Sequence, residues 1–177
     1  MTTSILLAGF GGQGLLFAGK QLASAAMKKD LFVTWLPSYG PEMRGGTANC
    51  SVIISDEPIG SPLVTNPDVL IAMNLPSYEK FEPAIVPGGI LISDSTMISA
   101  KSTRSDIQSY YIPATGLAEE NALKGLANVI MLGKLLQVKQ VFDKEYLAKS
   151  MTESIPAAKA HLAQANIKAL ETGYTQK

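Results

Sequence analysis

The stretch Ser4-Ile5-Leu6-Leu7-Ala8-Gly9-Phe10-Gly11-Gly12-Gln13-Gly14-Leu15-Leu16-Phe17-Ala18 decides how the chain is read. An apolar run of strand length meets a glycine-rich turn, and a helical pattern follows. Gly9, Gly11 and Gly14 satisfy the spacing G-x-G-x-x-G. That spacing opens nucleotide-type α/β domains: one glycine permits the tight turn, one lets backbone approach a ligand, and one lets helix pack on strand. Successive backbone N–H groups at a helix start also suit an anion. The plainer alternative is that the glycines only allow close packing.

Working outward, residues 13–28 read as a helix whose apolar positions point nearly all round it, interrupted mainly by Lys20 and Gln21. Such a helix is buried on more than one side, so its outer face is expected to meet another subunit. Leu31-Phe32-Val33-Thr34-Trp35-Leu36 reads as a strand. The segment from Pro37 to Thr47 is too rich in Gly and Pro for a regular element, and long enough to suggest a functional loop. Cys50–Ser55, Asp68–Asn74 and Ile90–Ser93 are further strands. The second of these is apolar enough to be covered on both faces. A short helix is expected over 76–81 and a short strand at 110–112. Helices follow over 116–123, 126–138, 143–150 and 155–171, the last capped by Ser154, with Pro156 in its first turn and an end before Gly173. The prediction is α/β: a single Rossmann-like domain with a mainly parallel sheet and a helical C-terminal third.

A dinucleotide enzyme needs more than the glycines. The ribose hydroxyls of NAD are held by an acid at the end of the second strand, about 20 residues past the loop. Here that end reads Trp35-Leu36-Pro37-Ser38-Tyr39, without an acid. Arg44 lies too far on to serve a 2′-phosphate. The self-contained NAD(P)- or nucleotide-binding enzyme is therefore the weaker alternative.

Composition narrows the rest. With 177 residues, 46% hydrophobic and zero formal charge, the chain can build a proper core but offers no electrostatic case for nucleic acid or an anionic membrane. No basic residue precedes the first apolar run and glycines interrupt it, so neither a signal peptide nor a membrane span is expected. One cysteine and one histidine allow no disulfide, zinc or iron–sulfur site within the chain, and a reducing cytoplasm is the expected compartment. Cys50 reads as a buried thiol, His161 as an ordinary helix residue, and Asp94 as a cap for the turn after its strand. The methionines read as filler. Only two arginines occur, Arg44 and Arg104. Arg44, followed by Gly45 and Gly46, could pair with Glu42, but an interface or ligand role is favoured because the loop leaves a strand's carboxyl end. No catalytic residue or metal ligand is expected.

Four blocks together carry a more specific signal: Gly9–Gly14, Tyr39-Gly40-Pro41-Glu42-Met43-Arg44-Gly45-Gly46, Pro67-Asp68-Val69-Leu70-Ile71-Ala72-Met73-Asn74 and Asn128-Val129-Ile130-Met131-Leu132-Gly133. In this order, over nearly the whole of residues 1–177, the chain resembles the gamma subunit of 2-oxoacid:ferredoxin oxidoreductases. Its second block is closest to the 2-oxoglutarate and branched-chain types. The resemblance implies a complex that converts a 2-oxoacid and coenzyme A to acyl-CoA and CO2, with electrons passing to ferredoxin. It places thiamine diphosphate on alpha and beta subunits, and iron–sulfur clusters on the beta and a delta subunit. For this chain it implies docking surface. It also implies a share of the CoA route at Gly9, Gly11, Gly12, Gln13, Gly14, Arg44, Gly45 and Gly46, and an isolated chain without activity. The substrate expected is 2-oxoglutarate.

Overall fold

The computed structural model describes residues 1–38, 47–155 and 161–176. The elements run β1 (Thr2–Phe10), α1 (Leu15–Met27), β2 (Phe32–Ser38), β3 (Thr47–Ser55), β4 (Val69–Ala72) and α2 (Leu75–Phe81). A 3-10 turn at Glu82–Ala84 leads to β5 (Ile90–Asp94) and β6 (Gln108–Ile112). Then come α3 (Ala114–Glu120), α4 (Ala127–Lys139), α5 (Lys144–Glu153) and α6 (His161–Thr175). One sheet holds all six strands in the order β2-β3-β1-β4-β5-β6. The pairs β1–β4, β4–β5 and β5–β6 are parallel, whereas β3 is antiparallel to both β1 and β2. Five strands therefore run one way and β3 alone runs against them, so the expected mainly parallel α/β domain is the one observed.

Residue alternation builds two cores, one on each face of the sheet. Ile5, Leu7, Val69, Ile71, Ile90 and Ile92 face α1, α4, α5 and α6. Leu6, Ala8, Leu70, Ala72 and Leu91 face the layer of α2, against Tyr78, Ile85 and Ile98. β4 is buried at every position, as its unbroken apolar run predicts.

Several expectations need correction. β2 continues through Pro37 to Ser38, and β3 begins at Thr47 rather than Cys50, because the two form a ladder in which Ser38 faces Asn49. Pro37 is tolerated there because β2 is an edge strand. α1 is buried on more than one side, as its apolar pattern predicts, and part of its outer side is covered from within the chain. Eight of its residues are buried, and α5 covers part of its outer side, where the Tyr146 hydroxyl donates to the Ala25 carbonyl at 2.8 Å. The helix buried all round is α4, from Asn128 to Leu136.

Ser154 closes α5, its hydroxyl donating to the Met151 carbonyl at 2.7 Å, and the segment that would lead from it into α6 lies outside the described residues. α6 also passes through Gly173 to Thr175. Gly173 is a contact rather than a stop, since a Cβ there would overlap the Ile130 carbonyl of α4. Gly133 answers it from α4, where a Cβ would overlap the Leu170 carbonyl. Pro156 lies outside the described residues.

Candidate functional site at the carboxyl edge of the sheet

The carboxyl ends of β1, β4, β5 and β6 lie together, where open α/β sheets bind their ligands. Gly9 is buried and packed, and Gln13 closes the turn above it. The Gln13 side chain accepts from the Phe10 N–H at 2.6 Å and donates to the Met73 carbonyl at 2.9 Å. A Cβ on Gly9 would overlap the Gln13 amide oxygen. Gln13 thus fastens the end of β1 to the end of β4, and its side chain is committed to the fold. The Met73 N–H also donates to the Ala8 carbonyl, at 2.9 Å.

Gly11 and Gly12 are exposed at the tip. Gly12 has φ +95° and Gly14 φ +74°, both in the left-handed region that glycine tolerates best. Around Gly12 there is open space, whereas a Cβ on Gly14 would lie 2.5 Å from the Asn128 side-chain nitrogen. That nitrogen donates to the Gly14 carbonyl at 2.8 Å. The contact draws the start of α4 against the start of α1. Neither helix has a side-chain cap or an acidic residue in its first turn. Two 13-residue helices therefore present N-terminal ends of positive character around one glycine turn.

Three hollows surround this turn. One of about 250 Å³ lies between Gly12, Met73, Met97, Thr115 and Lys124. Another of about 240 Å³ lies between Phe10, Gly12, Leu16 and Ala48. A third, about 490 Å³, runs from Gly14 past Phe17, Lys124 and Leu126 to Leu162. Lys124 borders the first and the third. The arrangement suits an elongated ligand with an anionic part and apolar flanks.

Other candidates resolve into the framework. Buried Asp94 accepts from the Thr96 N–H at 3.1 Å and from the Thr115 hydroxyl at 2.6 Å, so it caps its turn and holds the start of α3. Arg104 chelates Asp106 at 2.9 and 2.6 Å and donates to the carbonyls of Glu82 and Ile85, at the opposite edge of the sheet. Cys50 is buried against Gly19, and burial pushes its thiol up to about 12, which rules out a ready nucleophile. Among the described residues no three His, Cys, Asp or Glu side chains are grouped to hold a metal. No described helix is long and apolar enough to cross a membrane.

Gly9, Gly11, Gly12, Gln13 and Gly14 thus come together at one edge. Arg44, Gly45 and Gly46 lie outside the described residues, but the strand ends that flank them, Ser38 and Thr47, belong to this same edge, Thr47 facing Phe10. Sequence reasoning missed Lys124 and the bond from Asn128. The signal for Lys124 was its place before Gly125 and a helix start; Asn128 sat unexplained in the fourth block.

The sheet order also explains the missing ribose acid. In a dinucleotide domain the second strand lies beside the first. Here β3 lies between them, so the end of β2 stands two strand spacings, about 10 Å, from β1. An acid there would not flank the glycine turn.

Comparison with known proteins agrees. Residues 4–176 match the family model described as pyruvate ferredoxin/flavodoxin oxidoreductase. The chain is 37% identical over 177 residues to 2-oxoglutarate synthase subunit KorC of Methanocaldococcus jannaschii, covering 98% of this chain and 93% of that one. It is 38% identical over 170 residues to ketoisovalerate oxidoreductase subunit VorA of Methanothermobacter thermautotrophicus, covering 96% of this chain and 35% of VorA. It therefore spans about a third of the length of that relative. The solved keto/oxoacid ferredoxin oxidoreductase gamma subunit of Geobacter sulfurreducens matches with a TM-score of 0.84 at 29% identity, over 98% of this chain and 95% of that one. Glycine turn, sheet order and relatives converge: the chain belongs to the pyruvate ferredoxin/flavodoxin oxidoreductase family.

Proposed function

We propose that this chain is the gamma subunit of a cytoplasmic 2-oxoacid:ferredoxin oxidoreductase, working on 2-oxoglutarate, and that its glycine turn forms one wall of the CoA route. The near full-length relationship to KorC supports the subunit role and the substrate. One observation carries the CoA wall: two uncapped helix starts and Lys124 surround the exposed Gly11–Gly12 tip, beside apolar hollows. Diphosphate and phosphate oxygens suit those N–H groups, and the pantetheine arm suits the apolar flanks.

The decarboxylation chemistry belongs to thiamine diphosphate on the alpha and beta subunits, and electron transfer to iron–sulfur clusters on the beta and delta subunits. This chain contributes only Cys50 as a thiol, and that thiol is buried. Its own part is to orient CoA so that the sulfur reaches the partners' centre, and alone it has no turnover.

The test is the complex co-purified with its native subunits and assayed on a panel of 2-oxoacids. Lys124→Glu is expected to raise the KM for CoA about tenfold, on the scale of one ionic phosphate contact, and to leave the KM for the 2-oxoacid alone. An unchanged KM for CoA in that variant would remove the CoA wall; absence of any 2-oxoacid activity in the co-purified complex would remove the subunit reading itself.

A further inference from the structure

The turn between α3 and α4 carries Lys124, and its backbone is held in an uncommon conformation. Asn121 ends α3, and Ala122 follows with φ +56°, in the left-handed region that glycine ordinarily fills. The Ala122 N–H donates to the Glu119 carbonyl at 3.2 Å, and the Leu123 N–H to the Ala118 carbonyl at 2.7 Å. That pair of bonds is the Schellman closure of a helix, with alanine at the position where glycine is usual. A left-handed alanine is strained, and it persists only where its surroundings hold it.

Two features hold it. Leu123 and Ala118 are both buried in the core on the α4 side of the sheet. From α6, the Lys168 ammonium donates to the Asn121 carbonyl at 3.2 Å, where a cation suits the carbonyl end of α3. Beyond Lys124, Gly125 at φ +81° turns the chain into α4, and the Leu126 N–H donates to the Leu123 carbonyl at 2.9 Å. Lys124 is thus an exposed side chain on a turn fixed at both ends, bordering two hollows. Lys168 lines neither of them.

Resting on the CoA reading above, we infer that Lys168 is a positioning residue for Lys124. By binding the Asn121 carbonyl it holds the strained turn at Ala122, and so keeps Lys124 at the border of both hollows. Its contribution to CoA affinity passes through Lys124, not through a contact of its own with the ligand. The strain at Ala122 is what makes the hold necessary. Released from it, alanine returns to right-handed or extended backbone, and Lys124 leaves the hollows.

The experiment uses the complex co-purified with its native subunits. Lys168→Met is expected to raise the KM for CoA about threefold, on the scale of one exposed charged contact, and to leave the KM for the 2-oxoacid alone. Two double variants separate positioning from direct attraction. Combined with Lys124→Glu, Lys168→Met should add nothing further, since residues that act through one another are not additive. Combined with Ala122→Gly, it should lose most of its effect, because glycine takes the left-handed turn without strain. An unchanged KM for CoA in Lys168→Met overturns the inference. So does a full further rise on top of Lys124→Glu, which would mean that Lys168 attracts CoA directly. An undiminished effect beside Ala122→Gly overturns it as well, since strain would then play no part. If Lys124→Glu alone leaves the KM for CoA unchanged, the CoA wall has failed, and this inference with it.

Discussion

The two ends of the sheet are built on opposite rules. At the amino end nearly every polar valence is closed within the chain. The Asp68 carboxylate accepts from the Ser4 N–H and hydroxyl, both at 2.7 Å, and Arg104 spends its guanidinium on Asp106 and on the carbonyls of Glu82 and Ile85. At the carboxyl end Gln13 is tied to Met73, Asp94 to Thr115 and Asn74 to the Ser77 N–H, but the Asn74 amide nitrogen, the Ser77 and Ser93 hydroxyls and the Asn128 amide oxygen are buried without a partner. Backbone also stays open there, at the starts of α1 and α4. Charge at the amino end stabilises the fold, whereas backbone polarity at the carboxyl end remains available to a ligand. The lesson is that a site can be marked by uncapped helix ends more clearly than by any reactive side chain.

The contrast can be broken most sharply at Gly14. A side chain there meets both a left-handed backbone and the Asn128 amide, so Gly14→Ala is expected to destabilise the chain by about 2–4 kcal/mol. Gly12→Ala shares the strain but has open space, and about 1 kcal/mol is expected. Urea unfolding of the two variants measures the difference, and equal losses would show that the Asn128 contact gives way freely. Gln13→Ala comes next. Losing the two bonds that fasten β1 to β4 should cost about 1–3 kcal/mol, and the loosened turn should raise the KM for CoA in the assembled complex.

The smallest effect belongs to the amino end and is read by pH. Hydrogen bonding from Arg104 holds the Asp106 carboxyl below its ordinary 3.8. A depressed carboxyl contributes stability above its unfolded value, and that contribution is lost as pH falls through the folded value. Urea midpoints at neutral pH and at about pH 3 should therefore fall further for wild type than for Asp106→Asn. The gap should be small, because the pair is exposed and screened by solvent. An acid limb of equal size in both proteins would assign it to other carboxylates.

Much of the fold was legible because hydrophobic runs and glycine breaks are local. The run Val69–Ala72 announced a strand covered on both faces, and Gly9–Gly14 announced a strand-to-helix turn. Strand order was not legible, since nothing within Cys50–Ser55 says that it runs antiparallel between its neighbours. Gly173 was misread for a related reason. A glycine near a helix end reads as a terminator, but this one is required by the passage of α4, some forty residues earlier in the chain. The candidate site followed the same division. Its glycines were visible as a motif, whereas the role of Gln13 as a fastener depends on Met73, and the approach of α4 depends on Asn128.

The bond from Asn128 to Gly14 spans 114 residues, and so it has a consequence in time as well as in space. A ribosome delivers the glycine turn first and its partner helix much later. Through most of synthesis α1 must begin without the amide that will later occupy its first carbonyl, so the turn is made early and finished late. The second helix start reaches the glycine turn only after the C-terminal third has folded back on the beginning of the chain, and an unfinished chain carries the glycine motif without α4 beside it.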